Sequence, residues 1–185
     1  MKKICFLLML AGLARAQSVF SLDASQSSAA FTLPDVLHTV HGSFKVKRGS
    51  IQFDPSSGSA SGEIVVDATS GDSGSEARDK RMHKNILESQ KFPEITFVPS
   101  RVRGAVSANG ESKVEIDGTF TIHGASHPLT ASAVVNASGD LLRAKVHFAV
   151  PYVSWGMKNP STLFLRCAES VDIDLDATGH VSWSR

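Results

Sequence analysis

The sequence predicts an all-β fold, an antiparallel barrel or sandwich accompanied by one short helix. Three segments alternate apolar and polar residues with a period of two, namely 113–122, 142–150 and 171–176. Such alternation is typical of strands with one buried and one solvated face. Together with six weaker strand candidates at short, regular spacing, it favours a barrel or sandwich over a layered α/β fold.

The first 16 residues predict a cleavable signal peptide. Lys2 and Lys3 precede an apolar run from Ile4 to Leu13, and Ala14-Arg15-Ala16 provides small residues for cleavage. The run is too short to cross a bilayer, which requires about 20 residues. We therefore expect residues 17–185 to form a single domain in the periplasm, with extracellular release as the alternative.

Charge and cysteine content exclude several function classes. The chain has 19 Lys and Arg against 18 Asp and Glu, and its formal net charge is +1. Without Lys2, Lys3 and Arg15 the net charge becomes about −2, which gives no support for a nucleic-acid partner. Since Cys5 lies in the signal peptide, the exported chain retains Cys167 alone and cannot form an internal disulfide.

The weaker strand candidates are bounded by Gly, Pro, Ser, Asn or Asp, as strands commonly are. They are 28–33, 39–47, 50–53, 61–67, 94–98 and 129–136. A closed barrel would leave none of these strands with an exposed edge.

One segment has helical rather than strand spacing. Residues Ser73 to Glu76 have the spacing of a capping box, and Met82 and Ile86 lie four residues apart in the following segment 77–87. We expect a helix there that ends before Pro93 and packs Met82 and Ile86 over the barrel wall or mouth.

No constellation of residues predicts catalysis or metal binding. His38 and His41 would face opposite sides of an extended segment, whereas His123 and His127 share a loop without a further ligand to complete a site. No nucleophile elbow or phosphate-binding glycine loop is present. Asp172, Asp174 and Asp176 alternate on one strand, which predicts a solvated face. We expect no catalytic residue, no metal and no required cofactor.

The apolar strand faces leave two interpretations open. An eight-stranded barrel is near the size at which side chains either fill the interior or surround one small ligand. The apolar residues that we expect to point inward therefore form either a packed core or the wall of a dry cavity. The loop 151–157 places Tyr152 and Trp155 beside Gly156, where they either cover a barrel end or guard its mouth.

Landmarks of a known family extend from residue 20 to residue 128. They are Phe20-x-Leu22-Asp23, Ser27, Phe31, His38, Val40-His41-Gly42-Ser43-Phe44, Gly49-x-Ile51-x-Phe53-Asp54, Gly62-x-Ile64-x-Val66-x-Ala68, Arg78-Asp79 with Met82, Phe92-Pro93-x-Ile95-x-Phe97, Gly118-x-Phe120-Thr121-Ile122-His123-Gly124 and His127-Pro128. In these residues the sequence resembles the YceI-like family of exported polyisoprenoid-binding proteins.

The resemblance implies an extended, lipocalin-like antiparallel β-barrel of about eight strands with one short helix. It also implies that the interior binds a long isoprenoid chain, such as that of a polyprenol or quinone, rather than catalysing a reaction. The candidate lining residues are Phe31, Phe44, Ile116, Phe120, Val146, Phe148, Ile173, Tyr152 and Trp155.

Arg78 and Asp79 are interpreted as a structural pair that anchors the helix to a loop, because a carboxylate is favoured near a helix start. Two other functions stay open: an interaction module whose barrel is filled, and an accessory of a membrane quinone or cytochrome redox system. The expected partner is an apolar lipid. Transient contact with a membrane or membrane protein, and a homodimer, also stay open.

Overall fold

The computed structural model describes residues 17–34, 39–161 and 166–184. Their strands are β1 (Ser18–Leu22), β2 (Ser28–Leu33), β3 (Val40–Phe53), β4 (Ala60–Asp67), β5 (Glu94–Arg103), β6 (Asn109–Ile122), β7 (Ala125–Ser138), β8 (Leu141–Val150) and β9 (Val171–Ser182). Between β4 and β5, α1 (Glu76–Arg81) continues directly into a π-helical turn (Met82–Ile86). Short 3-10 turns occupy Ala24–Gln26 and Ala68–Ser70.

The nine strands close into a barrel with eight strand positions. Both β1 and β2 pair with β3 on one side and β9 on the other, so together they fill one position in the wall. From β9 the order runs through β8, β7, β6, β5 and β4, and the pairing of β4 with β3 completes the circle. The predicted all-β fold, a lipocalin-like antiparallel barrel of about eight strands with one short helix, is confirmed.

Asp23 produces the break between β1 and β2. Its carboxylate accepts hydrogen bonds from the Ser25 backbone N–H at 2.9 Å and from the Ser25 hydroxyl at 2.6 Å, which turns the chain briefly out of the extended conformation. The Ser27 hydroxyl then donates to the Asp23 carbonyl oxygen at 2.7 Å. The chain consequently re-enters the same wall position as β2.

Several strand boundaries differ from the sequence pattern. Segments 39–47 and 50–53 form one strand, β3, whose register with β4 shifts between Val46 and Arg48. Strand β5 extends to Arg103 past a second register shift between Pro99 and Arg101. At such shifts an extra residue interrupts the alternation while the strand continues, which is why the pattern ended early.

The predicted capping box at Ser73–Glu76 is wrong. The helix begins at Glu76, and Ser75 occupies the N-cap without making a side-chain cap. Ser73 is instead bonded to Asp79, one turn into the helix. The Ser73 side chain therefore holds the helix to its loop from outside the cap position.

The two barrel ends are built differently. At the turn end, the connections 54–59, 104–108 and 139–140 are short, and Phe53 packs edge-on against Trp183 with ring centroids 6.1 Å apart. At the helix end lie α1, the π-helical turn, the β6–β7 turn and the long β8–β9 connection. One apolar cluster forms at each end, around Phe20 and Phe53 at the turn end and around Ile122 and Tyr152 at the helix end.

Gly62 allows β3 and β4 to approach closely, and its replacement by alanine is expected to destabilise the barrel. Its φ is +103°, and an added Cβ would overlap the carbonyl oxygen of Ser50. We expect Gly62→Ala to lower the free energy of unfolding by about 3 kcal/mol in urea titrations. The control is Gly139→Ala, where φ is +64° and nothing lies within 4 Å, with an expected loss of about 1 kcal/mol. Equal losses would contradict the steric explanation.

Candidate ligand cavity

The barrel interior contains a cavity of about 250 Å³. About 10–15 Å³ on this measure holds one water molecule, so the barrel is hollow rather than packed solid. On β6 the cavity touches residues from Val114 to Ile122, a length of about 27 Å along the strand at 3.4 Å per residue. It is therefore long and narrow, and it extends from the turn end to the helix end.

The cavity wall is almost entirely hydrocarbon. Among the described residues that line it, only Thr96 and Tyr152 carry a polar side chain. Eight of the nine residues proposed from the sequence lie in this wall, namely Phe31, Phe44, Ile116, Phe120, Val146, Phe148, Ile173 and Tyr152. A wall of this composition can attract a ligand through removal of apolar surface from water but provides few hydrogen bonds.

Two aromatic pairs narrow the cavity. Phe31 and Phe44 have ring centroids 5.5 Å apart, and Phe120 and Phe148 are edge-on at 5.4 Å. Phe31 faces the backbone of Gly42, where a Cβ would overlap its ring. Since glycine leaves that space to the phenyl group, Phe31 can lie against the barrel wall.

Tyr152 closes part of the helix end as a fixed element. It is only 5% exposed, and its hydroxyl donates to the carbonyl oxygen of Ala168 at 2.7 Å. Burial, with smaller contributions from Cys167 and Glu169, raises the pKa of Tyr152 to about 12. The phenol therefore stays protonated at physiological pH and continuously ties residue 152 to the other side of the β8–β9 connection.

Trp155 does not line the cavity but packs against the apolar cluster at the helix end. Its ring stacks on His127 with centroids 4.0 Å apart and contacts Phe120 at 6.0 Å. His127 Nε2 is buried without a hydrogen-bond partner among the described residues. We expected His127 in a loop, whereas it belongs to β7 and alternates inward with Leu129 and Ala131.

Arg78 and Asp79 both form hydrogen bonds with Ser73, in the loop before the helix. Asp79 Oδ1 accepts from the Ser73 backbone N–H at 2.9 Å and from its hydroxyl at 2.6 Å, while Arg78 Nη2 donates to the Ser73 carbonyl oxygen at 2.9 Å. Burial raises the pKa of the Asp79 carboxyl, but the Ser73 hydrogen bonds, with help from His83 and Arg78, lower it overall. Asp79 is thus ionised in its bonded form.

His83 fastens the other face of the helical segment, a role that the sequence analysis missed. Its Nε2 donates to the carbonyl oxygen of Gly71 at 2.9 Å, and its Nδ1 is 3.0 Å from the Ser89 hydroxyl. The neighbouring Asp72 exchanges two backbone hydrogen bonds with Ser43 of β3. These contacts hold the helical segment to the rim of the barrel.

A second attachment joins the end of the helical segment to the β6–β7 turn. Phe92 packs on His123 with centroids 5.0 Å apart, and it fills the space above Gly124. Both Glu88 and His123 adopt positive φ, and the His123 Nε2 to Glu88 Oε1 distance is 3.6 Å. Held at both attachments, the segment turns Met82, Ile86 and Leu87 into the cavity.

Met157 and Pro160 also line the cavity but were not predicted. Both belong to the β8–β9 connection, which has no period that would indicate its direction relative to the barrel. Met157 is 4% exposed. The only signal in the sequence was an apolar residue beside the aromatic loop.

The histidines do not form a common site in the described part of the chain. His123 contacts Phe92 and Glu88, whereas His127 stacks on Trp155. Within 17–34, 39–161 and 166–184, no group of three or more His, Cys, Asp or Glu side chains is placed to hold a metal ion. The predicted signal peptide 1–16 and His38 lie outside these ranges. None of the helices in these ranges has the length and apolar character to span a membrane.

A sequence profile of the YceI-like domain matches residues 20–179. The chain belongs to this family. Among curated relatives, it is 33% identical over 103 residues to a UPF0312 protein of Pseudomonas putida strain W619, a match that covers 54% of this chain and 51% of the relative. It is 26% identical over 149 residues to a UPF0312 protein of Pseudomonas fluorescens, covering 76% and 73% of the two chains. The chain thus spans about half the length of the first curated relatives that it matches.

Two solved structures share the fold. Burkholderia cenocepacia BcnA superposes with a TM-score of 0.70 at 19% identity, covering 85% of this chain and 98% of that one. A polyisoprenoid-binding domain from Saccharophagus degradans gives a TM-score of 0.67 at 15% identity, with coverage of 88% and 98%.

Removal of the Asp79 carboxylate should loosen the helical segment. Asp79→Ala removes both hydrogen bonds that Asp79 accepts from Ser73. We therefore expect the free energy of local opening of residues 73–86, measured by hydrogen exchange, to fall by about 2 kcal/mol. The control is Glu76→Ala, which removes the same charge from the exposed first turn.

The effect of Asp79→Ala should depend on pH. Because folding lowers the pKa of Asp79, its contribution is complete above the ordinary carboxyl pKa near 3.8 and is lost as the pH falls from there through the folded pKa. The protection of wild type and variant should therefore converge in acid. A difference that stayed constant with pH would argue against the carboxylate as the cause.

His127→Phe should stabilise the protein. A buried polar atom without a partner costs about 1–3 kcal/mol, and a phenyl ring keeps the stacking surface for Trp155. We expect the free energy of unfolding to rise by about 1 kcal/mol in urea titrations. His180→Phe, at an exposed position bonded to Asp140, should give no gain. Destabilisation by His127→Phe would show that Nε2 is satisfied in the folded protein.

Proposed function

We propose that this YceI-like protein is an exported, non-catalytic carrier that encloses the hydrocarbon chain of an isoprenoid lipid, such as a polyprenol or isoprenoid quinone. The observation that carries the proposal is the long, hollow, apolar cavity along the barrel. Family membership supports it, as does the fold shared with a polyisoprenoid-binding domain. Export through the signal peptide at residues 1–16 into the periplasm is part of the proposal.

The shape and chemistry of the cavity favour a linear hydrocarbon. A narrow wall about 27 Å long suits an extended chain better than a compact ligand. Burial of apolar surface contributes about 25 cal/mol per Å², so a long chain can be held without a charged contact. A dry wall also lacks the paired acid, base or nucleophile that catalysis on a ligand requires.

The hollow interior weighs against the interaction module with a filled barrel. Such a module would gain stability from close packing of the interior, whereas this wall leaves apolar side chains without contacts on one side. The redox accessory differs from the carrier in its cargo and partner. A quinone as the bound lipid, together with capture of a membrane cytochrome, would favour the accessory.

Protein purified from its own host should carry an apolar lipid in the barrel. We expect native mass spectrometry to detect a noncovalent adduct and organic extraction to release a molecule with an isoprenoid fragmentation pattern. Ala144→Phe, whose side chain points into the cavity, should reduce the occupied fraction at least fivefold by filling the space.

The matched control is Ala149→Phe, on the same strand but facing outward. It should carry as much lipid as the wild type. A barrel that yields no lipid from its native host would refute the carrier function. Equal occupancy in both variants would place the lipid outside the barrel.

A further inference from the structure

The outer face of the helix end carries a group of exposed cations. We call Lys80, Arg81, Lys84 and Lys91 the cationic face; all four residues are exposed. Lys91 Nζ lies 4.8 Å from the centre of the Phe92 ring. In the part of the chain that the structure describes, none of the four forms an ion pair with a carboxylate.

Nearby carboxylates offset part of this positive charge. Residues 76–91 contain five cations, Arg78, Lys80, Arg81, Lys84 and Lys91, and three carboxylates, Glu76, Asp79 and Glu88, which gives a net charge of +2. Hydrogen bonds from Ser73 hold the Asp79 carboxylate without removing its charge. The β8–β9 connection adds the exposed cations Lys158 and Arg166 and the exposed carboxylate Glu169.

On the barrel wall, Arg101, Lys113 and Arg143 form no ion pair in the described residues, but several other cations do. Cross-strand ion pairs engage Lys47 and Arg48 with Glu94, Arg103 with Asp117, and Lys145 with Asp176. Exposed ion pairs of this kind leave little net field at the surface. The strands also carry many carboxylates, such as Asp174 and Asp176 on β9, whereas residues 76–91 have a net charge of +2.

The helical segment is amphipathic across the mouth. Met82 and Ile86 contact the cavity, while Lys80 and Lys84, four residues apart, lie on the opposite side. Because its apolar side is turned into the cavity, the segment presents its Lys- and Arg-rich side outward, where it can meet anionic head groups. The Met82 side chain is flexible and can adapt to a passing hydrocarbon.

We propose that the helix end docks on an anionic lipid bilayer, so that lipid passes between the bilayer and the cavity without crossing water. The inference rests on the proposed carrier function. Charge complementarity selects the occupant, because bilayer phosphate groups match unpaired exposed cations, and the apolar side of the same helical segment leads directly into the cavity. The turn end is closed by short turns and the Phe53–Trp183 contact. In the described residues, no helical segment with exposed cations covers the cavity at that end.

Docking should be reversible and sensitive to salt. Each Lys or Arg close to an anionic membrane contributes modestly, and exposed charges are screened within about 8 Å at physiological ionic strength. Weak, salt-sensitive binding of this kind would let a carrier leave the membrane again.

Co-sedimentation with vesicles tests the proposal. The purified full-length mature protein is mixed with vesicles of phosphatidylcholine alone or with phosphatidylglycerol added, at low and physiological salt. We expect binding only with phosphatidylglycerol. The triple variant Lys80→Glu, Arg81→Glu, Lys84→Glu should reduce the partition coefficient at least tenfold.

The control variant makes the same change in net charge on the barrel wall. Arg101→Glu, Lys113→Glu, Arg143→Glu replaces three exposed cations distant from α1 and should keep vesicle binding within about twofold of the wild type. Circular dichroism should show that both variants are folded. Equal losses in the two variants would overturn the proposal, since net charge alone would then explain binding.

Lipid content separates docking from the carrier function. Wild type that carries lipid yet fails to bind anionic vesicles would overturn docking and leave the carrier function intact; an acidic protein would then be the favoured partner. Wild type without lipid would refute the carrier function. A helix-end variant that retains its lipid but exchanges it with vesicles at least tenfold more slowly would support docking as the loading step.

Discussion

Closure of the hydrogen-bonded ladder is the constraint on which the rest of the structure depends. Each wall position has a neighbour on both sides, including the position shared by β1 and β2 and the junction of β3 with β4. Backbone polar groups are therefore satisfied within the wall itself. A sandwich must press two sheets together to bury their apolar faces, whereas a closed barrel can keep its apolar face around a hollow interior.

This constraint separates the stability of the wall from the filling of the interior. The hollow interior leaves apolar side chains such as Phe148 and Ile173 without contacts on one side, and that forfeits dispersion energy. A hydrocarbon chain would restore those contacts. Polar bonds to Ser73 and Gly71 help to hold the helical segment, and no residue of α1 or the π-helical turn is fully buried. Opening that segment therefore costs less buried surface than opening the wall.

The sequence predicted the direction of the side chains better than their surroundings. Alternation identified Ile116, Phe120 and Val146 as inward because the period of a strand is independent of what lies inside. It could not distinguish a filled barrel from a hollow one, since both require the same apolar face. Alternation did not identify strand β1, because a strand of five residues is too short to show a clear period. The place of Trp155 and the bonds of His83 depend on how distant segments meet, which no local period encodes.

The distribution of polar atoms gives the cavity a direction. Thr96, near the start of β5, and Tyr152, just after β8, are both at the helix end, and the buried His127 Nε2 lies near the same end. Toward the turn end, the described lining residues, such as Phe20, Phe53 and Leu142, are all hydrocarbon. A polar head group buried there would lose its hydrogen bonds to water without replacement. In the proposed carrier, a linear lipid should therefore lie with its hydrocarbon tail toward the turn end and its head group beneath the helical segment, beside the cationic face through which it enters.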